Sequence, residues 1–410
     1  MKFKRIIAIL MMLSIVLISC TSEELEVEGL TMEEKLEDFD YLYELIGNNY
    51  PLLKVNERQN GINWVDERVE FEEKIKKTTT DQEFLIEVKN IVRRLNNNHT
   101  HVVDKNYLLE LYEFYGDDEL EDVFKEWTDI IEDDTVMEWY NINSDDLAIT
   151  SESNTNHRPL NRQTYSTSII VPDEVAYLKI EDMMIGFEEL ESIAEDLRSF
   201  FNEVSEYDKL IIDIRGNPGG NDLYWRYGVV PPLIKDRITV ENYYFVRGSY
   251  AKKFYESGGA GNLYPLSQLD ANIMEKLPEE VKTDFQYYGI RNMTIEPLEP
   301  VGFKGKIFLL IDDKVFSSAD GFAAFAKDSG FATLIGVPTM GDGLSWNPLL
   351  ASLPNSGIVI RFSGALAINR DGTINAEVGT TPHIEMPNHS FRIGEWDEAI
   401  QYVVNYNEVE

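Results

Sequence analysis

The stretch LIIDIRGNPGGND, Leu210 to Asp222, decides how this chain folds. Its first five residues are apolar apart from Asp213, a composition typical of an interior strand of a parallel or mixed sheet. Proline and three glycines follow between positions 216 and 220. Glycine permits positive φ and close approach of the backbone, and proline stiffens a turn. The stretch therefore predicts a buried strand ending in a loop that presents peptide N–H groups to a ligand.

Strands and helices alternate on both sides of this stretch. One predicted βαβ unit comprises strand 175–180, helix 187–204 and strand 210–214, and a second comprises strand 306–312, helix 318–329 and strand 331–337. A further strand is predicted at 357–362 and a closing helix at 395–404. The fold class is therefore α/β, with βαβ units in a mixed sheet.

Two polar segments lie where ligands of such sheets bind. The glycine-rich loop 216–220 and the segment Phe316–Asp320 both follow a strand, and open α/β sheets bind ligands at the carboxyl ends of their strands. A phosphate-binding loop is the rival interpretation, but neither the G-x-x-x-x-G-K-[ST] nor the G-x-G-x-x-G spacing is present. Free N–H groups beside a serine at a helix N-terminus predict an oxyanion hole next to a nucleophile.

Composition limits the partners that this site can have. The 410 residues are 43% hydrophobic, enough for one large or two medium domains. A formal net charge of −36 repels nucleic acid and bare anionic membrane surfaces, so neither is an expected partner.

The first twenty residues have the pattern of an export signal. Lys2, Lys4 and Arg5 precede the apolar run 6–18, and the sequence up to Cys20 resembles the lipobox of bacterial lipoproteins. We expect a signal peptide over 1–19 and lipidation of Cys20, which would hold the protein at the extracytoplasmic face of a bacterial cell membrane. A plain signal peptide or a signal anchor is the alternative.

Processing at this position would alter the charge and leave one thiol. It removes three of the 37 basic residues and none of the 73 acidic ones, so the net charge changes from −36 to −39. Cys20 is the only cysteine, which excludes intramolecular disulfides and thiolate zinc sites.

The remaining chain divides by composition and periodicity. Capping-box sequences at Thr31 and Thr80 begin two predicted helices. The predicted segments are a linker at 20–30, a helical N-terminal subdomain at 31–100, an acidic insert of mixed short elements at 101–165, and an α/β catalytic domain at 166–410.

Four blocks in order resemble one peptidase family. They are NNNHTH at 96–101, IDIRGNPGG at 212–220, VFSSADGFAAFAKDSGFATLIGVPTMGDG at 315–343 and DGTINAEVGTTPHIEMP at 371–387. Together they resemble the serine peptidases that include carboxyl-terminal processing (tail-specific) proteases and the core domains of tricorn proteases. The resemblance implies a crotonase-like or ClpP-like core, and 101–165 has no clear PDZ domain.

By this resemblance Ser317 is the nucleophile. The residue precedes a predicted helix, whose N-terminal amides favour developing negative charge. A helix-capping serine is the structural alternative, and Ser318 is the alternative nucleophile.

The base expected from the resemblance is a histidine. Processing proteases have a lysine in the T-x-G-K-G position, which here is Asp342, so a Ser-Lys dyad is impossible at that position. His99 lies where the tricorn-like branch has its histidine, although Asn97 replaces the common aspartate. An imidazole is the usual acceptor of a serine proton, and His101 is the alternative base.

Further roles follow from the same resemblance. Glu377 aligns with the glutamate that would orient the imidazole, and Asn98 occupies the position of a polar orienting residue. The oxyanion hole would use the N–H of Gly219 or Gly220 together with that of Ser318.

The sequence thus predicts a serine endopeptidase that hydrolyses protein tails or peptides outside the cytoplasmic membrane, without metal or cofactor. The membrane would be contacted only through the lipid on Cys20. Two other classes stay open: a metal-dependent hydrolase using the few histidines, and a catalytically inactive peptide- or ligand-binding lipoprotein on the same fold.

Overall fold

The computed structural model describes residues 29–116, 121–147, 163–257, 262–386 and 397–407. The predicted signal peptide, Cys20 and most of the predicted linker lie outside these residues. No helix among the described residues is long and apolar enough to cross a membrane.

Short helices form the N-terminal part of the described chain. Both predicted capping boxes are present: the side chain of Thr31 accepts from the N–H of Glu34, and that of Thr80 from the N–H of Glu83. The described part of the segment predicted as an insert of mixed short elements is largely helical. These helices span Met32–Asn49, Leu53–Asn60, Arg68–Ile75, Asp81–Arg93, Lys105–Tyr115, Glu121–Ile131 and Asp134–Tyr140.

The remaining helices are interleaved with strands. They span Phe187–Glu203, Ser249–Ser257, Ala271–Lys276, Glu279–Asp284, Ser318–Ser329, Asn375–Val378 and Glu398–Asn405. The strands are β1 (His101–Val102), β2 (Tyr165–Val171), β3 (Val175–Ile180), β4 (Lys209–Asp213), β5 (Ile238–Val246), β6 (Tyr264–Pro265), β7 (Tyr287–Ile295), β8 (Lys306–Ile311), β9 (Thr333–Gly336), β10 (Leu349–Ser352), β11 (Val359–Phe362), β12 (Leu366–Ala367) and β13 (Ile384–Glu385).

A six-stranded sheet of order β13-β9-β8-β4-β3-β2 confirms the predicted mixed α/β fold. All neighbours in it are parallel except β2, which runs antiparallel to β3. Both predicted βαβ units are present, and β4 and β8 lie side by side. The loops that follow these two strands therefore emerge together at one edge of the sheet.

Two smaller sheets complete the strand arrangement. One has the order β1-β11-β10 and the other β12-β5-β7-β6. In the first, β1 pairs antiparallel with β11, which places His101 opposite Arg361. This pairing fixes the position of the NNNHTH segment by contact with a distant part of the chain.

Separate hydrophobic cores support the two sides of the molecule. The first, here called the sheet core, packs one face of the six-stranded sheet against helices Phe187–Glu203 and Ser318–Ser329. The second, here called the helical core, joins the N-terminal helices to the smaller sheets, with Phe39, Trp64 and Ile360 buried in it. A small cluster packs the C-terminal helix on the opposite face of the large sheet.

Candidate active site

Ser317 lies in a strained turn between β8 and the helix Ser318–Ser329. Its φ of 54° and ψ of −127° place a non-glycine residue in a region that costs free energy and is often found at functional sites. Its N–H donates to the carbonyl of Gly341 at 3.2 Å. Its side chain makes no capping hydrogen bond to the helix, so the capping interpretation of this serine is wrong. The hydroxyl is left available for another partner.

That partner is His99. The Nε2 atom of His99 lies 2.9 Å from Oγ of Ser317. The imidazole is buried and packs against the ring of Phe316, with the ring centroids 4.4 Å apart. The residue stands just before β1, and the side chain of Arg361 in β11 donates to its carbonyl. The structure therefore brings together the two residues predicted as nucleophile and base.

A carboxylate contacts the other ring nitrogen of His99, and it belongs to Asp342. Oδ2 of Asp342 lies 2.9 Å from Nδ1 of His99. The same oxygen accepts from Nδ2 of Asn97 at 2.9 Å and from the hydroxyl of Ser363 at 3.0 Å. Because the carboxylate accepts at Nδ1, that nitrogen carries the proton and Nε2 presents its lone pair to Ser317.

Hydrogen bonding keeps the Asp342 carboxylate ionised despite its burial. Burial by itself raises the pKa of this carboxyl, but the His99 ring and the hydrogen bonds from His99, Asn97 and Ser363 outweigh it. The pKa of Asp342 consequently lies below its usual value. The carboxylate can therefore orient the imidazole and stabilise it when it becomes protonated.

The loop that carries Asp342 is held from behind by Asp320. This carboxylate, fully buried in helix Ser318–Ser329, accepts from the hydroxyls of Thr339 at 2.5 Å and Thr380 at 2.7 Å. It also accepts from the N–H of Gly343 at 3.0 Å. Burial raises the pKa of Asp320, and these hydrogen bonds act in the opposite direction. Helix Ser318–Ser329 thereby fixes Thr339 and Gly343, which lie on either side of Asp342.

Glycine is required where the glycine-rich loop contacts the turn that carries Ser317. A Cβ on Gly219, whose φ is 97°, would lie 2.7 Å from the carbonyl oxygen of Phe316 and 2.9 Å from Cβ of Ser317. A Cβ on Gly220 would lie 2.2 Å from the carbonyl carbon of Met183. The loop therefore packs directly against the turn that carries Ser317.

The hydrogen bonds of the loop's N–H groups reduce the number of candidate donors for the predicted oxyanion hole. The N–H of Gly219 donates to Oδ1 of Asn217 at 2.8 Å, so the prediction of a free donor at Gly219 is corrected. Within the part of the chain that the structure describes, the N–H groups of Gly220 and Ser318 donate no hydrogen bond. These two groups remain the predicted oxyanion donors.

The charged residues of the strand-loop junction have structural contacts. The backbone N–H and Nε of Arg215 each donate to Oδ1 of Asp213 at 3.0 Å, and Arg215 also pairs with Asp397 of the C-terminal helix cap. Lys179 lies 3.5 Å from the same Asp213 oxygen. These residues stabilise the start of the glycine-rich loop, which packs against the turn that carries Ser317.

Ser318 is not positioned as a nucleophile. Its hydroxyl is buried, accepts from Nε1 of Trp225 at 3.2 Å and lies 3.5 Å from the sulfur of Met183. The side chain therefore points into the sheet core, and only its backbone faces the site.

His101 is not positioned as a base. Its ring packs against Tyr107 with centroids 5.6 Å apart, and its strand partner is Arg361. Burial, helped by the positive charge of Arg361, lowers the pKa of His101 to about 4. The ring is therefore neutral near neutral pH and belongs to the packing of β1.

The structure does not place Glu377 at the imidazole. Its carboxylate accepts from Nε of Arg58 at 2.8 Å and from Nη2 at 2.6 Å. Arg58 also pairs with Glu280, and these contacts raise the pKa of the arginine. The prediction that Glu377 orients His99 is therefore corrected: helix Asn375–Val378 turns that side chain toward the helical subdomain, and Asp342 holds the position instead.

Asn98 also has a different environment from the one expected. Its amide nitrogen lies 3.1 Å from the sulfur of Met340, at the surface. The neighbouring Asn97 contacts Asp342, so the orienting amide is one residue earlier than predicted.

Sequence reasoning thus missed Asp342, Asn97 and Ser363. A signal existed for Asp342, because an acidic residue stands where related sequences have a catalytic lysine, a position that must lie near the nucleophile. Nothing in the local sequence distinguishes Ser363 from other serines, since only the folded loop brings it to the carboxylate.

The described residues contain no group of three or more histidine, cysteine or carboxylate side chains that could hold a metal ion. At Ser317, instead, hydrogen bonds connect a hydroxyl to an imidazole and that imidazole to a carboxylate. Such an arrangement defines the class of serine hydrolases, because the imidazole can take the hydroxyl proton and the carboxylate can stabilise the resulting charge.

The chain belongs to peptidase family S41, whose family model matches residues 174–386. It is 25% identical over 253 residues to a protein of Chlamydia pneumoniae, covering 52% of this chain and 40% of that protein. An uncharacterized protein of Chlamydia muridarum is 26% identical over 239 residues, covering 50% of this chain and 38% of its own length. The chain thus spans about two fifths of the length of these relatives.

Solved structures share the fold at low sequence identity. A candidate peptidase of Parabacteroides merdae superposes with a TM-score of 0.53 at 16% identity, covering 86% of this chain and 89% of that one. Mature CPAF in complex with lactacystin gives 0.52 at 14% identity, covering 86% and 94%. These likenesses establish a common architecture.

Proposed function

We propose that the protein is a serine endopeptidase in which Ser317 is the nucleophile, His99 the general base and Asp342 the orienting carboxylate. The observation that carries the proposal is the continuous row of two 2.9 Å contacts from Ser317 through His99 to Asp342. The distance from Ser317 to His99 lies within the reach of a general base for the hydroxyl proton, and the distance from His99 to Asp342 allows the carboxylate to accept from the ring. Membership of the S41 family supports a peptide bond as the bond that is cleaved.

The geometry suggests the following sequence of steps. His99 Nε2 accepts the proton of Ser317 as Oγ attacks the scissile carbonyl carbon, and the imidazolium then donates that proton to the leaving amine. Asp342, ionised by its hydrogen bonds, holds the ring in the tautomer that makes Nε2 the acceptor. Water activated by the same imidazole then hydrolyses the acyl-enzyme and releases Ser317.

The tetrahedral oxygen would be bound by the N–H groups of Gly220 and Ser318. These donors belong to the loop and helix end that flank Ser317, and they carry no other hydrogen bond in the described chain. Each such donor typically contributes about 10²–10³-fold in rate. A main-chain donor at Gly220, together with the close packing of Gly219 against the turn that carries Ser317, accounts for two of the three glycines that follow the strand Lys209–Asp213.

We further propose that the substrate is a protein tail or peptide outside the cytoplasmic membrane. The export-signal pattern that ends at Cys20 supports this location, with the lipid on Cys20 as the membrane contact. Mass spectrometry of the protein in the membrane fraction should find a chain that begins at a lipid-modified Cys20. A chain that retains residues 1–19 would favour the signal-anchor alternative, and a shortened chain without lipid would favour a plain signal peptide.

The activity is tested by incubating the purified chain and its Ser317→Ala variant with a disordered protein, with and without chelator. Cleavage is read by mass spectrometry. We expect cleavage by the wild type that chelator does not reduce, and none by the variant. The fragments would also give the preferred bond.

Other outcomes would exclude the proposal. Cleavage that chelator abolishes and Ser317→Ala retains would establish a metal-dependent hydrolase. Absence of both cleavage and reaction with a fluorophosphonate probe would overturn the proposed activity and favour the inactive binding lipoprotein.

A further inference from the structure

Beyond the three proposed catalytic residues, the amide of Asn97 connects two of them. Its Nδ2 donates to Oδ2 of Asp342 at 2.9 Å, while its Oδ1 accepts from the backbone N–H of His99 at 2.9 Å. The same Oδ1 accepts from the hydroxyl of Thr100 at 3.0 Å. One side chain therefore fixes both the backbone of the proposed base and the carboxylate that orients its ring.

Ser363 supports this amide from the opposite side. Its hydroxyl lies 3.0 Å from Oδ2 of Asp342 and 3.2 Å from Oδ1 of Asn97, and it is buried. Its backbone N–H contacts the hydroxyl of Thr100 at 3.3 Å. The carboxylate oxygen that faces His99 thus accepts from an imidazole, an amide and a hydroxyl, which leaves it little freedom to rotate.

We infer that Asn97 is a positioning residue of the proposed peptidase, and that position 97 requires a neutral hydrogen-bond donor because Asp342 supplies the negative charge. The inference rests on the proposed function of Ser317 and His99. An aspartate at 97 has nearly the same shape as asparagine, but it would place an acceptor where the donor to Asp342 now lies. Two carboxylates at this distance repel each other strongly while both are ionised.

Substitution by aspartate has a consequence at the base that a purely structural role would not have. A second negative charge beside the imidazole favours its protonated form, so a more alkaline solution is needed before Nε2 can accept a proton. The neutral form of His99 is the one that activates Ser317. As the pH is increased, the rate of reaction at Ser317 should therefore begin to rise at a higher pH in the variant than in the wild type.

Several other titratable or charged groups lie near this cluster, among them Asp320, whose pKa burial raises. Burial raises the pKa of Tyr50 and of Tyr255, which both lie near Asp342. Burial lowers the pKa of His101 to about 4, and Arg361 is a permanent cation. These groups are common to the wild type and both aspartate variants, so a difference in pH dependence between the proteins should report on the introduced carboxylate and its effect on the imidazole.

The test measures the rate of labelling by a fluorophosphonate probe from pH 5 to pH 9, with mass spectrometry to confirm the adduct on Ser317. The matched control for Asn97→Asp is Asn98→Asp, which adds the same charge one residue away, where the amide contacts the Met340 sulfur. We expect Asn97→Asp to move the rising limb of the rate to higher pH by about one unit or more. Asn98→Asp should move it by much less.

A second variant keeps the inference testable if Asn97→Asp does not fold. Asn97→Ser removes the amide donor without adding charge, and we expect about tenfold slower labelling at the pH plateau with little movement of the limb. Thermal unfolding confirms that each variant compared is folded.

The outcomes separate this inference from the proposed function. A wild type that does not label at Ser317 would overturn the proposed function, and the inference with it. Normal labelling of the wild type, with Asn97→Asp matching Asn98→Asp in rate and pH dependence, would overturn the role of Asn97 alone. Asn97→Ser at the wild-type rate would have the same meaning.

Discussion

The sheet core and the helical core each supply one partner of the contact between Ser317 and His99. Ser317 and the glycine-rich loop follow strands of the sheet core, whereas His99 lies between the N-terminal helices and β1, which belong to the helical core. Asp342 comes from a loop between them. On the sheet side, neighbouring strands place the glycine-rich loop and Ser317 directly. On the helical side, His99 reaches the site only because the helical core packs against the rest of the chain.

The two sides also differ in how they are anchored. On the sheet side, β4 and β8 are hydrogen-bonded neighbours, so the loops that follow them emerge side by side. On the helical side, the His99 segment is placed by the pairing of β1 with β11 and by the amide of Asn97. Loosening the helical core should therefore damage activity before it unfolds the large sheet.

The largest effect is expected from removing the contribution of the helical side altogether. His99→Ala leaves Ser317 without a base, and in serine peptidases loss of the catalytic histidine lowers kcat by about 10⁶-fold. Circular dichroism and thermal unfolding should show a folded protein, and the peptidase assay should show loss of turnover. Substantial turnover by a folded His99→Ala protein would show that the helical side contributes no base.

A smaller effect is expected from weakening the docking of the first helix. The buried carboxylate of Asp38 accepts from the backbone N–H groups of Asn355 at 2.7 Å and Ser356 at 2.9 Å, in the turn between β10 and β11. Asp38→Ala leaves both donors without this acceptor, and we expect a loss of about 2–4 kcal/mol in the free energy of unfolding.

The same helix offers a matched control for this change. Asp40 is exposed and pairs with Arg68 at 2.7 Å, so Asp40→Ala should cost less than about 1 kcal/mol. Denaturant unfolding measures both values. Equal losses for the two variants would show that the buried contact does not secure the helical core.

The smallest effect is expected from lowering the pH, which reduces the stability of the fold through protonation of His101 on the helical side. Burial lowers the pKa of His101 to about 4, below the ordinary value of about 6.5. As the pH falls, His101 takes up a proton at a higher pH in the unfolded chain than in the folded chain. The free energy of unfolding therefore keeps its full value above about pH 6.5 and decreases as the pH falls toward 4.

His101→Gln removes this titration. Between pH 7 and pH 4 the variant should lose about 1–2 kcal/mol less stability than the wild type, measured by denaturant unfolding. Identical pH dependence of the two proteins would contradict the burial of a neutral His101.

The sheet side could be predicted from sequence because its signals are local. The apolar run Leu210–Ile214, the glycines after it and the serine before the helix Ser318–Ser329 each mark their own position along the chain. The predicted boundaries of both βαβ units agree closely with the strands and helices of the structure. The proximity of Ser317 to His99 agrees with the prediction, although both assignments needed the family resemblance in addition to local pattern.

The carboxylate could not be predicted in the same way. Glu377 aligned with an expected acid, but its orientation depends on Arg58, a residue far away in the chain. The contact of Asp342 with His99 depends on a loop that the buried Asp320 holds in place. Which of Asn97 and Asn98 faces inward is likewise set by the turn that the folded chain adopts, not by its spacing.

The measurement that tests the central claim most directly compares Asp342→Asn with Glu377→Gln. Both variants replace one carboxylate by an amide of the same shape, and both are assayed by the rate of fluorophosphonate labelling at Ser317. We expect Asp342→Asn to be slower than the wild type by about 10⁴-fold, because the imidazole loses the carboxylate that selects its tautomer. Glu377→Gln should label close to the wild-type rate. A large loss in Glu377→Gln with little change in Asp342→Asn would contradict the account.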